Sequence, residues 1–178
     1  MSTNTATRPK SVADVVGATI AATGVGDAFG VLGSGNLVVT NALCRDGVRF
    51  HHARHEGGAI CMADGYARVS GRVGLCSVHQ GPGLTNTITG LTEAAKSRTP
   101  LLVLAGEAPA AALNSNFRID QAGLVESVGA IADRIHGPAT AADDARRAHD
   151  RAVLERRPVV LMLPIDIQPR PPEELAPS

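Results

Sequence analysis

The sequence predicts an α/β domain in three layers, with a central parallel sheet and helices on both of its faces. Several apolar runs of strand length show no polar alternation, which is typical of strands that are covered on both faces. Helical patterns separate these runs, and glycine-rich loops follow two of them. A chain of 178 residues suits one domain, which we expect to occupy residues 11–168.

The elements of the first half begin and end at recognisable signals. Ser11, with Asp14 three residues later, forms a capping-box arrangement, and Gly24 supplies a stop. Glu56 starts a later helix, which Gly71 closes. In order, we predict a helix over 11–24, a strand over 28–32, a helix over 37–43, a strand over 48–52 and a helix over 56–69.

The elements of the second half depend on apolar runs that Gly and Pro interrupt. The run "VGLCSV" stops at "HQGPG", the run "LLVLAG" follows Pro100, and "PVVLML" is the last. The segment 107–120 has no period and is expected to be irregular. In order, we predict a strand over 73–78, a helix over 84–97, a strand over 101–106, helices near 121–132 and 141–156, and a strand over 158–163.

Composition excludes several classes of partner. Seventeen Lys and Arg residues balance seventeen Asp and Glu residues, and aromatic residues make up only 2% of the chain. Neither a nucleic acid nor an anionic membrane surface is therefore an expected partner. No apolar run has the length of a membrane helix, and the polar residues 1–10 resemble a flexible tail rather than a signal peptide, so we expect a cytoplasmic protein.

Two further features concern the cysteines and the carboxyl end. Cys44, Cys61 and Cys76 are odd in number, have no C-x-x-C spacing and lie among apolar residues, so we expect reduced thiols in the core. Residues 169–178 are rich in proline and are expected to form a tail or a linker.

Glu56 is the residue that most invites a functional interpretation. A carboxylate in the first turn of a helix is stabilised by roughly 0.3–1 kcal/mol, so a solvated first-turn acid is the simpler interpretation of Glu56 alone. However, Gly57 and Gly58 follow it, and each costs roughly 1 kcal/mol relative to Ala in a helix. Such glycines indicate close packing or access for a ligand.

Other site classes find less support in the residues. His51, His52 and His55 lack zinc-ligand spacing, so no metal site is predicted. The loop "HQGPG" lacks the Lys of a phosphate-binding loop, "GSGN" lacks the third glycine of a dinucleotide site, and no G-x-S-x-G nucleophile is present. Asp64 is expected to pair with Arg68 one turn later. Each glycine loop alone is weak evidence for a ligand site. The evidence would be stronger if both loops and Glu56 lay at the same edge of the sheet.

One ordered set of residues identifies a family. The stretch 55–109 reads "HEGGAICMADGYARVSGRVGLCSVHQGPGLTNTITGLTEAAKSRTPLLVLAGEAP". It resembles the N-terminal, pyrimidine-binding domain of thiamine-diphosphate enzymes of the acetolactate synthase type, a group that includes benzaldehyde lyase. The resemblance extends to the first strand and loop, "FGVLGSGNL", and to the last strand, "RPVVLMLPIDI".

The resemblance implies roles for particular residues. Glu56 would hydrogen-bond N1′ of the cofactor's aminopyrimidine and so promote the imino tautomer, which takes the proton from C2 of the thiazolium ring. A buried carboxyl suits this exchange better than a solvated one. The expected cofactor contacts are Glu56, Gly81, Pro82, Gly83 and Asn86. The expected residues on the substrate side are Gly33, Ser34, Gly35, Asn36, His79, Gln80 and Gln121. His79 stands where the family commonly has Thr, and it is either an acid-base group or, as we prefer, bulk.

The resemblance also indicates what is missing. The family binds Mg²⁺ and the diphosphate through a separate domain with a G-D-G motif and a downstream Asn, whereas here Gly26-Asp27 is followed by Ala28. Three explanations remain: a subunit of a split enzyme, a fragment of a longer one, or a non-catalytic binding module. We favour the split enzyme, inactive alone and assembled with a partner chain as a dimer of heterodimers.

The expected reaction is decarboxylation or carboligation of a 2-oxo acid or aldehyde, with thiamine diphosphate shared between the chains and Mg²⁺ on the partner. A flavodoxin-like nucleotide binder is a further alternative, against which the missing phosphate lysine counts.

Overall fold

The computed structural model describes residues 10–172, which form a six-stranded, wholly parallel sheet between two layers of helices. The strand order across the sheet is β2-β1-β3-β4-β6-β5. The strands are β1 Asp27–Gly30, β2 Arg49–His52, β3 Gly74–Val78, β4 Leu101–Glu107, β5 Ile131–Arg134 and β6 Val159–Pro164. The helices are α1 Val12–Ala22, α2 Leu37–Arg45, α3 Glu56–Ser70, α4 Pro82–Thr85, α5 Ile88–Lys96, α6 Gln121–Ser127 and α7 Ala141–Glu155.

Alternation along the strands divides the core into two halves. Leu102 and Leu104 of β4 pack towards α1, α2 and α7, whereas Val103 and Ala105 pack towards α3, α5 and α6. Because neighbouring residues of a strand point to opposite faces, an uninterrupted apolar run supplies both halves at once. The predicted three-layer α/β class is therefore confirmed.

The helix predicted near 121–132 is wrong in its second part. Helix α6 ends at Ser127, Gly129 adopts a φ of +89°, and the chain then enters β5, where Ile131 pairs with Val159 of β6. This pairing joins residues that are distant in sequence, so the local helical spacing did not reveal it. The strand lies at the edge of the sheet.

Two other boundaries differ from the prediction. The helix predicted over 84–97 is divided into α4 and α5, because Thr87 N–H bonds to the carbonyl of Leu84 in a tighter turn at 2.9 Å. Strand β1 begins at Asp27 and ends at Gly30, so the end of the predicted strand 28–32 belongs to the following loop. Asp27 lies in this strand, where its carboxylate accepts hydrogen bonds from Arg49.

The cysteine prediction holds only for Cys76, which is fully buried in β3. Cys44 and Cys61 are exposed, because they lie on the outward faces of α2 and α3. Burial raises the pKa of the Cys76 thiol, so it remains protonated.

The segment after β6 packs back on the domain. Val12 N–H donates to the carbonyl of Arg170 at 2.8 Å, and Ala13 N–H donates to that of Gln168 at 3.0 Å. Among residues 10–172, no helix combines the length and apolar character needed to cross a bilayer. The predicted tail 1–10, apart from Lys10, and residues 173–178 of the predicted tail or linker lie outside the described residues.

Candidate active site

Loops from four parts of the chain meet at the carboxyl ends of β1, β3 and β4. The β1–α2 loop contacts the β3–α4 loop through Ser34 Oγ and His79 Nε2, which are 3.2 Å apart. Helix α3 approaches α4 through Glu56 Oε2, which accepts a hydrogen bond from Asn86 Nδ2 at 2.9 Å. Both glycine loops and Glu56 therefore lie at one edge of the sheet, where parallel sheets bind ligands.

Glu56 is the first residue of α3, and its position is set by the cap of that helix. His55 Nδ1 accepts a hydrogen bond from Gly57 N–H at 3.0 Å, so the ring satisfies a free backbone donor of the first turn. The Glu56 side chain is half-buried and held by Asn86. Its Oε1 lies 3.5 Å from the point where a Cβ on Gly83 would stand.

The Gly-Pro-Gly turn requires glycine at both of its glycine positions. Gly81 adopts a φ of +59°, and a Cβ there would lie 2.6 Å from the carbonyl oxygen of Phe117. Pro82 occupies the first position of α4, where its missing N–H is not needed. A Cβ on Gly83 would stand 2.9 Å from Cβ of His79. The turn is therefore pressed between the loop 107–120 and the end of β3.

Three side chains predicted on the substrate side are amides that lie beneath the loops. Asn36, Gln80 and Gln121 expose 1%, 3% and 3% of their surface, so each is almost fully buried. Asn36 Oδ1 accepts from Gly33 N–H at 2.8 Å. Gln121 Oε1 accepts from Gly81 N–H at 2.8 Å, while its Nε2 donates to the carbonyl of Gly106. Hydrogen bonding by Asn36 and Gln121 thus fixes both glycine loops.

Gln80 differs from the other two amides. Its Oε1 is buried and has no hydrogen-bond partner among the described residues. It lies against Gly35 and Gly106, where added Cβ atoms would collide with it. A side chain at Gly35 would therefore force the buried Gln80 amide to move.

Ser34 and His79 present polar atoms on the open side of the loops. His79 Nδ1 lies 3.0 Å from the carbonyl oxygen of Gln80, which can only accept, so Nδ1 donates this hydrogen bond. The other ring nitrogen, Nε2, lies 3.2 Å from the Ser34 hydroxyl oxygen. The His79 ring also contacts the ring of Phe117, with centroids 4.9 Å apart.

A comparison with known proteins assigns the chain to a family. Residues 10–129 match the family described as thiamine pyrophosphate enzyme, N-terminal TPP binding domain. The chain belongs to this family. Thiamine pyrophosphate is thiamine diphosphate under another name, so the chain is the pyrimidine-binding domain of an enzyme type that depends on this cofactor.

Curated relatives of this thiamine-diphosphate domain are longer proteins. The chain is 35% identical over 154 residues to a probable 2-ketoarginine decarboxylase of Pseudomonas aeruginosa, an alignment that covers 83% of the chain and 28% of that protein. It is 34% identical over 152 residues to a sulfoacetaldehyde acetyltransferase of Rhodobacter capsulatus, covering 81% and 25%. It is 37% identical over 102 residues to acetolactate synthase 1 of Oryza sativa, covering 57% and 16%. The aligned part thus spans about a quarter or less of each relative.

Sequence reasoning missed a cavity beside the glycine loops and Glu56. It has a volume of about 730 Å³ and opens at the carboxyl ends of β4, β5 and β6. Phe117 and Gln121, which contact His79 and Gly81, also line it. Phe117 gave one weak signal, since it is one of only three Phe in the chain and stands in the irregular segment.

Charged groups of the cavity wall were not predicted either. Glu107, the last residue of β4, bonds to Arg134, the last residue of β5, at 2.6 Å. Burial raises the pKa of the Glu107 carboxyl, and the Arg134 guanidinium acts against that rise. The two residues are far apart in sequence, so only the sheet brings them together.

The histidines and acids that might have formed other sites have structural partners. Within residues 10–172, no group of three or more His, Cys, Asp or Glu side chains could hold a metal ion. His51 Nε2 lies 2.7 Å from Asp27 Oδ1, at the amino end of β1 and away from the site. Asp64 pairs with Arg68 at 2.9 Å, as predicted.

Proposed function

We propose that this chain is the pyrimidine-binding half of a thiamine-diphosphate-dependent decarboxylase or carboligase of the acetolactate synthase type. In this proposal, Glu56 exchanges a proton with N1′ of the cofactor's aminopyrimidine. The observation that carries it is the placement of the Glu56 carboxylate, held by Asn86 at 2.9 Å beside the Gly81-Pro82-Gly83 turn.

The residues at this edge fit an aminopyrimidine ring. A planar heteroaromatic ring needs a flat surface without side chains, and the glycines of the turn supply backbone there. Glu56 Oε1 makes no hydrogen bond within the described residues, so it is available to a ring nitrogen while Oε2 is held by Asn86. Pro82 stiffens the turn, and Gln121 fixes Gly81 from beneath.

Glu56 would act by holding or moving one proton. A carboxyl shares a proton with a weakly basic ring nitrogen most effectively where water is excluded, because desolvation disfavours the charged carboxylate. The chain itself supplies part of this exclusion, since the Glu56 side chain is half-buried. A covering partner would complete it. The cofactor, when bound, supplies the carbanion chemistry that the protein lacks.

The diphosphate half of the site is proposed to come from a second chain. The 178-residue sequence has no G-D-G motif, and the family holds Mg²⁺ and the diphosphate on a domain that carries this motif and a downstream Asn. We propose a dimer of heterodimers with such a partner, in which this chain is inactive alone. A diphosphate domain joined to a longer form of this chain would meet the same chemical requirement.

The substrate is proposed to be a 2-oxo acid or an aldehyde. The names of the relatives support this class, since they describe a 2-ketoarginine decarboxylase, a sulfoacetaldehyde acetyltransferase and an acetolactate synthase. Ser34 and His79 are the polar residues on the open side of the loops, and they would face the reacting carbonyl.

The test is reconstitution of the shared site. The full chain is mixed with a candidate chain that carries G-D-G and a downstream Asn, together with Mg²⁺, thiamine diphosphate and pyruvate, and product formation is followed. Glu56→Gln should lower kcat by roughly 10²-fold or more, the usual contribution of general acid-base catalysis. Glu126→Gln is the matched control, because Glu126 is exposed and has no ion pair among residues 10–172.

Two results would reject the proposal. Turnover that Glu56→Gln leaves unchanged would remove Glu56 from the chemistry. A complex that forms with the partner and binds thiamine diphosphate, yet gives no product with any 2-oxo acid or aldehyde, would favour the non-catalytic binding module.

A further inference from the structure

The cavity at the ends of β4, β5 and β6 adjoins the proposed site for the reacting carbonyl. Phe117 contributes to both, because its ring contacts His79 and also lines the cavity. Gln121 likewise lines the cavity and holds Gly81. A molecule that reacts beside His79 can therefore extend past Phe117 into a space of about 730 Å³.

The lining of the cavity combines apolar wall with charged groups. Sites for wholly apolar ligands are lined mainly by hydrophobic side chains with few polar groups. This wall includes Ala108, Ile119 and Ile135, which would accept a short aliphatic chain. Its ionisable residues are Glu107, Arg118, Asp120, Arg134, His136 and Asp166.

Most of these ionisable groups already have partners within the described residues. Glu107 and Arg134 form an ion pair at 2.6 Å. Asp120 caps α6 by accepting from Gly123 N–H at 3.0 Å, and the His136 ring lies 3.2 Å from Asp144. These four groups therefore already make polar contacts before any ligand binds.

Arg118 is the cation of this wall that has no ion-pair partner among the described residues. Its Nη1 donates to the carbonyl of Ala110 at 3.0 Å, and no carboxylate lies within 4.0 Å of it among residues 10–172. A guanidinium has five N–H donors in a planar fork, so most of its donors remain free. Such a group matches carboxylate, sulfonate and phosphate oxygens.

The acidic side chains of the wall offer few free groups to a cationic ligand. Of the three acids in the wall, Glu107 is neutralised by Arg134 and Asp120 is engaged by a backbone donor. Asp166 is exposed, as is Arg118, but Asp166 already lies 3.7 Å from the Arg170 guanidinium. Arg118, which has no counter-ion within 4.0 Å among residues 10–172, thus favours an anion at its own end of the cavity.

We infer that this cavity binds an anionic group at the far end of the substrate, and that Arg118 pairs with it. The inference rests on the proposed function, and it narrows the substrate to a 2-oxo acid or aldehyde with a carboxylate, sulfonate or phosphate on a short aliphatic chain. Arg118 is then a specificity-determining residue that this chain supplies.

The experiment measures binding to the full chain, without turnover. Amide shifts of the ¹⁵N-labelled protein are followed by NMR during titration with pentanoate, propane-1-sulfonate and propyl phosphate at constant ionic strength. Pentanamide and pentylammonium serve as neutral and cationic probes of similar shape. We expect saturable shifts around the cavity with at least one anion, and an affinity at least tenfold weaker for pentanamide and pentylammonium.

Arg118→Gln should raise the Kd of the bound anion at least tenfold, which corresponds to about 1.4 kcal/mol. Arg72→Gln is the control, because Arg72 is exposed, makes no side-chain hydrogen bond within the described residues and precedes the amino end of β3. Both variants are checked by thermal unfolding, so that a folding defect is separated from a binding defect.

Several outcomes would overturn the inference: no saturable binding of any anion up to 50 mM, equal binding of pentanamide, tighter binding of pentylammonium, or unchanged affinity in Arg118→Gln. These results leave the Glu56 test untouched. If reconstituted enzyme depends on Glu56 while the anions fail to bind, only the cavity inference fails. If the anions bind through Arg118 while Glu56→Gln does not affect turnover, the proposed function fails, and the cavity remains an anion site without a link to that substrate.

Discussion

Replacing Gly81 by alanine tests whether the Gly-Pro-Gly turn is set by its packing against Phe117. Gly81 has a φ of +59°, a region that L residues avoid, and such strain costs about 1–3 kcal/mol. The new Cβ would stand 2.6 Å from the Phe117 carbonyl oxygen, so the turn or the loop must move. Movement would weaken the hydrogen bond from Gly81 N–H to Gln121, which contributes about 0.5–1.5 kcal/mol.

These contributions predict that Gly81→Ala lowers the free energy of unfolding by about 2–4 kcal/mol. The assay is urea unfolding followed by far-UV circular dichroism, fitted with a shared m-value. Gly65→Ala is the matched control. Gly65 lies within α3, and a Cβ there would have no neighbour within 4 Å, so the change should stabilise the domain by up to about 1 kcal/mol.

The predicted role of the Phe117 contact is refuted if the free energy of unfolding of Gly81→Ala lies within about 0.5 kcal/mol of the wild-type value, which is the range of ordinary surface substitutions. Such a result would mean that the turn relaxes freely and that Phe117 does not confine it. A loss of stability by Gly65→Ala equal to that by Gly81→Ala would also reject it, since the positive φ and the contact would then explain nothing.

Two other substitutions test the buried polar groups. Hydrogen bonds from Arg49, and to a smaller extent from His51, lower the pKa of Asp27 from 3.8 to about 2. The Asp27 carboxylate therefore stabilises the folded state above pH 4, and this contribution is lost as the pH falls towards 2. Asp27→Asn should therefore lower the free energy of unfolding by about 1–2 kcal/mol at pH 7 and by roughly half as much at pH 3, measured by urea unfolding at both pH values. An equal loss at both pH values would contradict a stabilising ion pair at Asp27. Gln121→Leu leaves the Gly81 N–H and the Gly106 carbonyl without their side-chain partner, so it should lower the free energy of unfolding by about 2–4 kcal/mol in the same assay. An unchanged free energy of unfolding would show that the Gln121 amide does not hold Gly81.

Local patterns predicted the elements that the sheet covers on both faces. The runs of β3 and β4 are continuously apolar because their alternate residues enter opposite halves of the core. The edge strand β5 was missed, because "IADR" is half polar and its only strand partner, β6, lies 25 or more residues away in sequence. Exposed Cys44 and Cys61 were missed because apolar neighbours in sequence do not specify which face of a helix a residue occupies.

The proximity of the candidate site residues was predicted as far as their motif extends. Glu56, Gly81, Gly83 and Asn86 belong to one ordered stretch, and the structure brings them together. The segment 107–120 has no period and no motif, so its contribution through Phe117 followed only from tertiary packing. The roles of these residues in binding and catalysis stay predictions until the Glu56 experiment is done.

The site residues divide into those that shape the loops and those that remain accessible. A buried amide without partners costs about 1–3 kcal/mol, so Asn36 and Gln121 stabilise only the loop conformations that satisfy their hydrogen bonds. The loops therefore hold their shape in the isolated chain, with Glu56 and His79 already facing the open side. Because a preformed surface loses less conformational entropy on binding, the proposed partner and cofactor would need to order few of these residues. Loosening Gln121 should consequently weaken partner assembly as well as folding.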